Sequence, residues 1–347
     1  MKNNRLVYIL IVALIIWCVV LTTSISNKTE TTNEVVNEYN VSGISTDFTK
    51  IVDDHKDCIV SIDSNGTIST GFLYKQVDNS VYVITSYHGV SQSSDNKVIF
   101  VNGFNSNAQV AGYDTYLDLA ILKVDIPYNV NVLSFGDTSL TKAGEFVINI
   151  GTPNSLEFEN SVELGMISSG VKTIQNSITV EKENVNYCLD VIQISSNLKT
   201  GFSGSPVINM NGEVIGMITM SNSNGYNLAV IANEMKIVAD SIIDGISIER
   251  NNIGIIGSYI IDMPSYEKSY LNLPIEVIDG LFVENVVENS ISSNAGVKSG
   301  DVIVSINGVA MNGLNSYLNI RYSDFDSYEF VVARDGETIT LKFESND

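Results

Sequence analysis

A serine flanked by glycines constrains this chain more than any other feature of its sequence. Ser203 lies in the segment Gly201–Pro206, which reads Gly-Phe-Ser-Gly-Ser-Pro, and a strand-like apolar run follows the proline. Small residues let the backbone turn sharply here, so that two N–H groups face the point where an oxyanion would form. Because Gly-x-Ser-Gly also occurs in ordinary turns, its interpretation depends on the residues that precede it.

Only two histidines are available as a general base. His88 follows the apolar β-branched run Val81–Thr85, whereas His55 lies in a charged stretch typical of a solvated surface. Asp118 is embedded in an apolar run between His88 and Ser203, where a carboxylate needs a partner such as an imidazole N–H. The chain order His, Asp, Ser is one of the orders in which nucleophilic triads occur.

These segments resemble the sequence boxes of the HtrA/Deg family of serine proteases, over about residues 48–345. The similar segments are Ile84–Val90, Asp114–Lys123, Gly201–Pro206, Phe135–Thr138, Gly144–Pro153 and Gly165–Ser168. The resemblance implies that His88, Asp118 and Ser203 are catalytic. It also implies that the backbone N–H groups of Gly201 and Ser203 form the oxyanion hole.

The chain departs from the family pattern beside the serine. Phe202 replaces the usual Asn, Ser205 replaces the second Gly, and Lys199-Thr200 replaces Asn-Pro. Backbone donors survive such changes, but Phe202 leaves the shape of the substrate cleft open.

The trypsin-like fold also implies the residues that bind substrate. Asn197, about six positions before Ser203, would form the base of the S1 pocket, and it is neither Asp nor Glu. Ile218, Thr219 and Met220 would pair with the substrate backbone and line the pocket with apolar groups. We therefore expect small or medium apolar residues at P1.

The fold class follows from short β-branched runs separated by Gly, Asn and Asp over residues 48–245, a pattern typical of antiparallel barrels. The resemblance implies a mostly β, chymotrypsin-like double barrel, each barrel six-stranded, with the catalytic cleft between them. A helix is expected at Ala232–Ile243, ending near Gly245.

Residues 252–345 form a second, α+β unit. Gly280–Val286 and Ser293–Gly308 resemble a bacterial PDZ domain. Ile253, Gly254, Ile255 and Ile256 resemble its carboxylate-binding loop, which holds a peptide C-terminus while the peptide adds as an extra strand. The competing interpretation is that these four residues only begin a core strand.

The N-terminus carries a targeting signal. Lys2 and Arg5 precede Leu6–Leu21, which holds no charge. This pattern predicts a retained transmembrane anchor over residues 6–23, with residues 1–5 cytoplasmic and the domains outside. Residues 24–47 are polar and predict a flexible stalk. A cleaved signal peptide, with Ser24–Ser26 as a weak cleavage site, is the alternative.

Composition excludes several functions. A formal net charge of −21 argues against nucleic acid as a partner, since phosphate binding needs a basic face. We expect no cofactor, and no Cys/His cluster has the spacing of a metal site. Whether Cys58 and Cys188 pair stays open.

Two functional hypotheses follow. The first is a membrane-anchored, single-pass serine endopeptidase at the cell membrane that cleaves misfolded or regulatory exported proteins. Its partners would be unfolded or partly folded substrates and peptide C-termini, and the family implies a homotrimer. The second is a catalytically idle PDZ scaffold, or a chaperone-like binding protein at the cell surface.

Overall fold

The computed structural model describes residues 48–180, 183–221, 227–263, 265–271 and 279–344. The predicted anchor and stalk lie outside these residues. Within the described part of the chain, no helix is long and apolar enough to cross a membrane. The described residues of both predicted domains belong to one compact unit.

The first barrel closes in the strand order β1-β2-β3-β6-β5-β4. Its inward faces carry the alternating apolar residues of the sequence; in β4, for example, every second residue is buried. Its strands are β1 Ile59–Ser64, β2 Thr67–Val77, β3 Ser80–Ser86, β4 Asn96–Phe100, β5 Asn105–Asp114 and β6 Leu119–Asp125. Helix α1, Phe48–His55, and a 3₁₀ turn, Lys56–Cys58, precede the barrel, and the short helix α2, Tyr87–Val90, follows β3.

The second barrel closes in the order β10-β11-β12-β9-β8-β7, so each barrel contains six strands as predicted. Its strands are β7 Phe146–Gly151, β8 Ser161–Val180, β9 Glu183–Ile194, β10 Pro206–Asn209, β11 Val214–Ser221 and β12 Asn227–Ile231. Two 3₁₀ turns, Thr138–Leu140 and Leu156–Phe158, lie in its connections.

A single helix, α3, closes the double barrel over Ala232–Asp244. It ends where Gly245 adopts the left-handed conformation with φ 70°, and the Gly245 N–H donates to the Ile242 carbonyl. The prediction of a helix ending near Gly245 is therefore confirmed.

The C-terminal domain is a sheet in the order β13-β14-β15-β17-β18, with β16 paired to β15. Its strands are β13 Ile255–Tyr259, β14 Leu281–Val286, β15 Val302–Ile306, β16 Val309–Ala310, β17 Ser327–Arg334 and β18 Glu337–Glu344. Its helices are α4 Ser265–Tyr270, α5 Ile291–Ala295 and α6 Leu314–Arg321, with a 3₁₀ turn at Ile260–Asp262. Because β13 is an edge strand, its outer side has no strand partner within this sheet.

The two domains share buried surface. Leu314 and Leu318 of α6 are buried in one apolar cluster with Val147 and Ile167 of the second barrel. Cys58 and Cys188 are both buried and both free, so they do not form a disulfide bond with each other.

Candidate active site

His88 and Asp118 meet at one end of the first barrel. The Nδ1 atom of His88 lies 2.6 Å from Oδ2 of Asp118, and the His88 backbone N–H donates to Oδ1 at 2.8 Å. The Tyr87 N–H donates to the Asp118 carbonyl at 2.8 Å, so three contacts fix α2 against the turn that joins β5 to β6. Asp118 sits there in the left-handed conformation, with φ 51°.

The hydrogen bond to Asp118 raises the pKa of His88 above its ordinary value of 6.5, although burial opposes the rise. The imidazole is nevertheless accessible, with 51% of its side chain exposed against 25% for Asp118. A base oriented by a carboxylate and open to a cleft is what proton transfer from a serine requires. His55 is a different kind of residue: its Nδ1 contacts the Ile51 carbonyl at the end of α1.

Ser203 lies in a turn between two glycines in the left-handed region, Gly201 with φ 100° and Gly204 with φ 84°. A Cβ at Gly204 would lie 2.6 Å from Thr85 Oγ1 and 2.8 Å from the Ser86 nitrogen. Only glycine can make this approach, which seats the Ser203 turn against the end of β3. His88 lies two residues after the end of β3. The structure therefore brings together the segments that carry His88, Asp118 and Ser203.

Thr70, on β2, holds the Ser203 turn at both of its ends. Its hydroxyl donates to the Gly201 carbonyl at 2.7 Å and accepts from the Thr152 N–H at 2.9 Å. Its backbone N–H donates to the Ser203 carbonyl at 3.0 Å. The role of Thr70 could not be predicted from the sequence, because a threonine within a strand carries no signal of such a role.

The oxyanion hole was predicted at the N–H groups of Gly201 and Ser203. Within the described residues neither N–H donates to an acceptor of the chain, whereas the neighbouring Phe202 N–H bonds to Lys199 and the Gly204 N–H to Ile218. The Thr200 carbonyl accepts from the Asn154 N–H at 2.8 Å, which orients the peptide that carries the Gly201 N–H. Two free donors on one tight turn fit an anionic oxygen.

Phe202 does not enter the cleft. Its side chain is fully buried, and a Cβ at Gly151 would lie 2.8 Å from its Cδ1 atom. The phenylalanine that replaces the usual Asn is therefore a buried ring packed against Gly151, where the absence of a Cβ leaves room for it.

The predicted substrate-binding residues are only partly brought to the site. Ile218 bonds with the Ser203 turn through both backbone groups, accepting from Gly204 at 2.8 Å and donating to Ser205 at 3.0 Å, but its side chain packs in the core. Thr219 is buried, and Met220 pairs with Leu228 along β11 and β12.

The assignment of Asn197 to the base of the S1 pocket stays a prediction. Its side chain is exposed and accepts a hydrogen bond from Lys199 Nζ at 3.2 Å. Its neighbour Ser196 is the residue that points inward, since its hydroxyl donates to Asn149 at 2.9 Å. Counting residues back from Ser203 identifies the segment. It does not predict which way each side chain points, because irregular backbone has no fixed period.

In the predicted carboxylate loop, Ile253 and Ile255 are buried in the core of the C-terminal domain. Ile256 is half-buried and continues into β13. Gly254 has φ 74°, and a Cβ there would overlap Ser290, whose hydroxyl accepts from the Ser293 N–H at the start of α5. The Gly254 N–H has no acceptor among the described residues, as a carboxylate loop requires.

Two closed six-stranded barrels are the fold of trypsin-like peptidases. Residues 69–217 match the trypsin-like peptidase domain family, and residues 282–344 match the PDZ domain family. The chain therefore combines a trypsin-like peptidase domain with one PDZ domain, which is the HtrA-type architecture, and its resemblance to the HtrA/Deg family is confirmed.

Three proteins named as serine or HtrA-type proteases are similar to this chain. Serine protease Do-like HtrA of Lactobacillus helveticus is 28% identical over 87% of this chain and 74% of that protein. Serine protease Do-like HtrB of Bacillus subtilis (strain 168) is 31% identical over 78% of this chain but only 60% of that protein. The HtrA-type protease AlgW, solved with a tripeptide, has a TM-score of 0.57 and 22% identity, covering 85% of this chain and 95% of AlgW.

Proposed function

We propose that this chain is a serine endopeptidase whose catalytic residues are His88, Asp118 and Ser203. The observation that carries the proposal is the contact of His88 with Asp118 at one barrel end, with the Ser203 turn packed against the same end through Gly204. Other features of the site, such as the free Gly201 and Ser203 N–H groups, complete the set of parts that acyl transfer needs.

The proposal assigns each of these groups a role in the reaction. His88 Nε2 takes the proton of the Ser203 hydroxyl as its oxygen attacks the peptide carbonyl, and Asp118 stabilises the imidazolium that forms. The N–H groups of Gly201 and Ser203 donate to the oxyanion. His88 then protonates the leaving amine, and water, activated by the same imidazole, hydrolyses the acyl-enzyme.

A fluorophosphonate probe tests this assignment. We expect it to label the wild-type chain at Ser203, as located by peptide mass spectrometry, and to leave Ser203→Ala unlabelled with an unchanged melting temperature. Casein hydrolysis should disappear in parallel. A chain that is folded but never labelled would instead support the idle scaffold.

We further propose that the enzyme acts on unfolded or partly folded exported proteins, misfolded or regulatory, and captures peptide C-termini at its PDZ domain. The outer edge of β13, which pairs with no other described strand, supports this, because an extended peptide can add there as a further strand. AlgW, a structural neighbour, has been solved with a decapeptide as well as a tripeptide.

A homotrimer at the cell membrane completes the proposal. An exposed apolar surface on the second barrel, the β7–β8 patch, supports self-association; it comprises Phe146, Val162, Leu164 and Met166, each 40–48% exposed. The three β8 members alternate along the strand and so share one face. Contiguous apolar surface of this kind marks an interaction site. The anchor over residues 6–23 rests on the sequence alone.

A further inference from the structure

A cluster of buried charges lies where the PDZ domain meets the double barrel, away from Ser203. Its members are Asp114, Asp190, Glu234, Arg250 and Arg321, and no side chain among them is more than 10% exposed. Buried charges are costly unless they are paired, and each of these is paired with another member. The cluster joins three parts of the chain: the barrels, the linker after α3 and helix α6.

Arg250, in the linker, is the centre of the cluster. Its Nη1 donates to Oδ2 of Asp114 at 3.0 Å, and its Nε and Nη2 donate to the Tyr322 hydroxyl at 3.0 and 2.7 Å. The guanidinium carbon lies 4.7 Å from the ring centre of Tyr116 and 5.2 Å from that of Tyr322. Arg250 is thus held between the β5–β6 turn and the C-terminal domain.

The β5–β6 turn is the one that carries Asp118. The second oxygen of Asp114, Oδ1, accepts from the Leu117 N–H at 2.8 Å and closes this turn. The Tyr116 carbonyl accepts from the Tyr187 hydroxyl at 2.9 Å. Asp118 directly follows Leu117. Its backbone occupies the left-handed region, so its conformation depends on the closed turn.

The other side of Arg250 is tied to the PDZ domain. The Tyr322 hydroxyl donates to Oε1 of Glu234 at 2.6 Å, and Arg321 Nη1 donates to the same oxygen at 2.9 Å. Arg321 also lies 2.9 Å from a carboxylate oxygen of Asp190. A continuous set of polar contacts therefore runs from α6 through Arg250 to the turn of Asp118.

We infer that Arg250 is a positioning residue for catalysis: it holds the Asp118 turn through Asp114 and Tyr116, and its own position depends on Tyr322 of the PDZ domain. The inference rests on the triad proposed above. A purely structural role, in which Arg250 only neutralises Asp114 and Glu234, makes a different prediction, because loss of folded protein changes neither the pH profile nor the turnover of each active molecule.

The test compares Arg250→Gln, Arg250→Lys, Asp114→Asn and the double variant Asp114→Asn/Arg250→Gln with the wild-type chain. Active sites are counted with the fluorophosphonate, and kcat and KM are measured on one peptide substrate from pH 5 to 9. For Arg250→Gln we expect kcat per active site to fall about tenfold, the size of coupling seen along packed networks, with KM within about twofold. The acid limb of kcat/KM should move to lower pH, since a displaced Asp118 supports the imidazolium less.

Two further comparisons sharpen the test. Arg250→Lys keeps the charge beside Asp114 and should recover part of the loss. The double variant should be no worse than Arg250→Gln, because both changes break the same link. Arg334→Gln is the matched control: Arg334 pairs with Asp301 at 2.6 and 2.7 Å inside the PDZ domain, so its loss should leave kcat unchanged.

Additive losses in the double variant, or wild-type kcat and pH profile in Arg250→Gln, would overturn the inference. If Arg250→Gln does not fold, Asp114→Asn decides alone, because its amide oxygen still accepts from the Leu117 N–H while the charge is gone. Failure of the triad is a separate outcome: only then would Ser203→Ala keep its activity.

Discussion

Asp118 contacts His88 through both carboxylate oxygens, one at 2.6 Å from the ring Nδ1 and the other at 2.8 Å from the backbone nitrogen. The carboxylate therefore fixes the orientation of the ring and the position of the helix that carries it. Asp118→Asn is a sharp test because asparagine tolerates the left-handed conformation, so the turn should persist. We expect kcat to fall by a factor on the order of 10⁴, as for the wrong imidazole tautomer in other triads.

The pH dependence of activity should report the same contact. Because Asp118 raises the pKa of His88 above 6.5, the acid limb of kcat/KM should have an apparent pKa above 6.5. In Asp118→Asn the residual activity should titrate at a lower pH. An acid limb at the same pH in both proteins would show that another group controls it.

The stabilisation of the fold by the His88–Asp118 contact should decrease as pH rises, whereas activity should increase along its acid limb. A histidine with a raised folded-state pKa contributes stability that is fully present below its unfolded pKa and is lost as pH rises through the folded value. The melting temperature of wild type relative to Asp118→Asn should therefore be highest below about pH 6, given an ordinary histidine pKa of about 6.5. The difference should shrink by pH 8 to 9. A difference that grows with pH would contradict the assignment.

Removing only the hydroxyl of Thr70 tests its role in holding the oxyanion turn. Thr70→Val keeps the shape of the side chain but removes the bonds to Gly201 and Thr152. We expect kcat to fall roughly 10- to 100-fold, less than the 10²–10³ that follows loss of an oxyanion donor itself, with little change in KM. Thr70→Ser retains the hydroxyl and should stay within a few fold of wild type. Equal losses in both variants would indicate a packing defect.

The β7–β8 patch should govern self-association. Placing a charge on it, as in Leu164→Glu, should reduce the sedimentation coefficient from that of a trimer towards that of a monomer, because burying an unpaired carboxylate at an interface is unfavourable. Val77→Glu, at an apolar residue 42% exposed on β2 outside the patch, is the control and should leave the coefficient unchanged. A monomeric wild type would remove the basis for the prediction.

Much of this fold was accessible from sequence because the buried strands carry β-branched runs. Strand β6, for instance, is apolar along most of its length and buried on both sides. Strand β5 gave no such signal: its sequence, NSNAQVAGYD, is mostly exposed, and pairing with its neighbours alone makes it a strand. Local pattern does not encode such tertiary pairing.

The residues of the site likewise fall into those that the sequence predicts and those that it does not. His88, Asp118 and Ser203 are scarce residue types in unusual contexts, which made them visible. Thr70 and Arg250 act through contacts between residues far apart in the chain, Thr70 with Gly201 and Arg250 with Asp114. The direction in which the Asn197 side chain points could not be predicted, because the backbone before Ser203 is irregular.

The last prediction concerns the PDZ domain. Peptides with an apolar C-terminus and a free carboxylate should raise the rate of cleavage of an unrelated substrate, because the loop at Gly254 offers backbone N–H groups to an anion. A substitution at Gly254 is not a clean test, since even a Cβ there overlaps Ser290 and disturbs the start of α5. The decisive comparison is therefore made on the peptide: the free acid should activate and its amide should not. Gly308→Ala, with a similar φ of 76° but open space around its Cβ, should keep the response. Equal activation by acid and amide would leave the PDZ domain as a tether that does not sense C-termini.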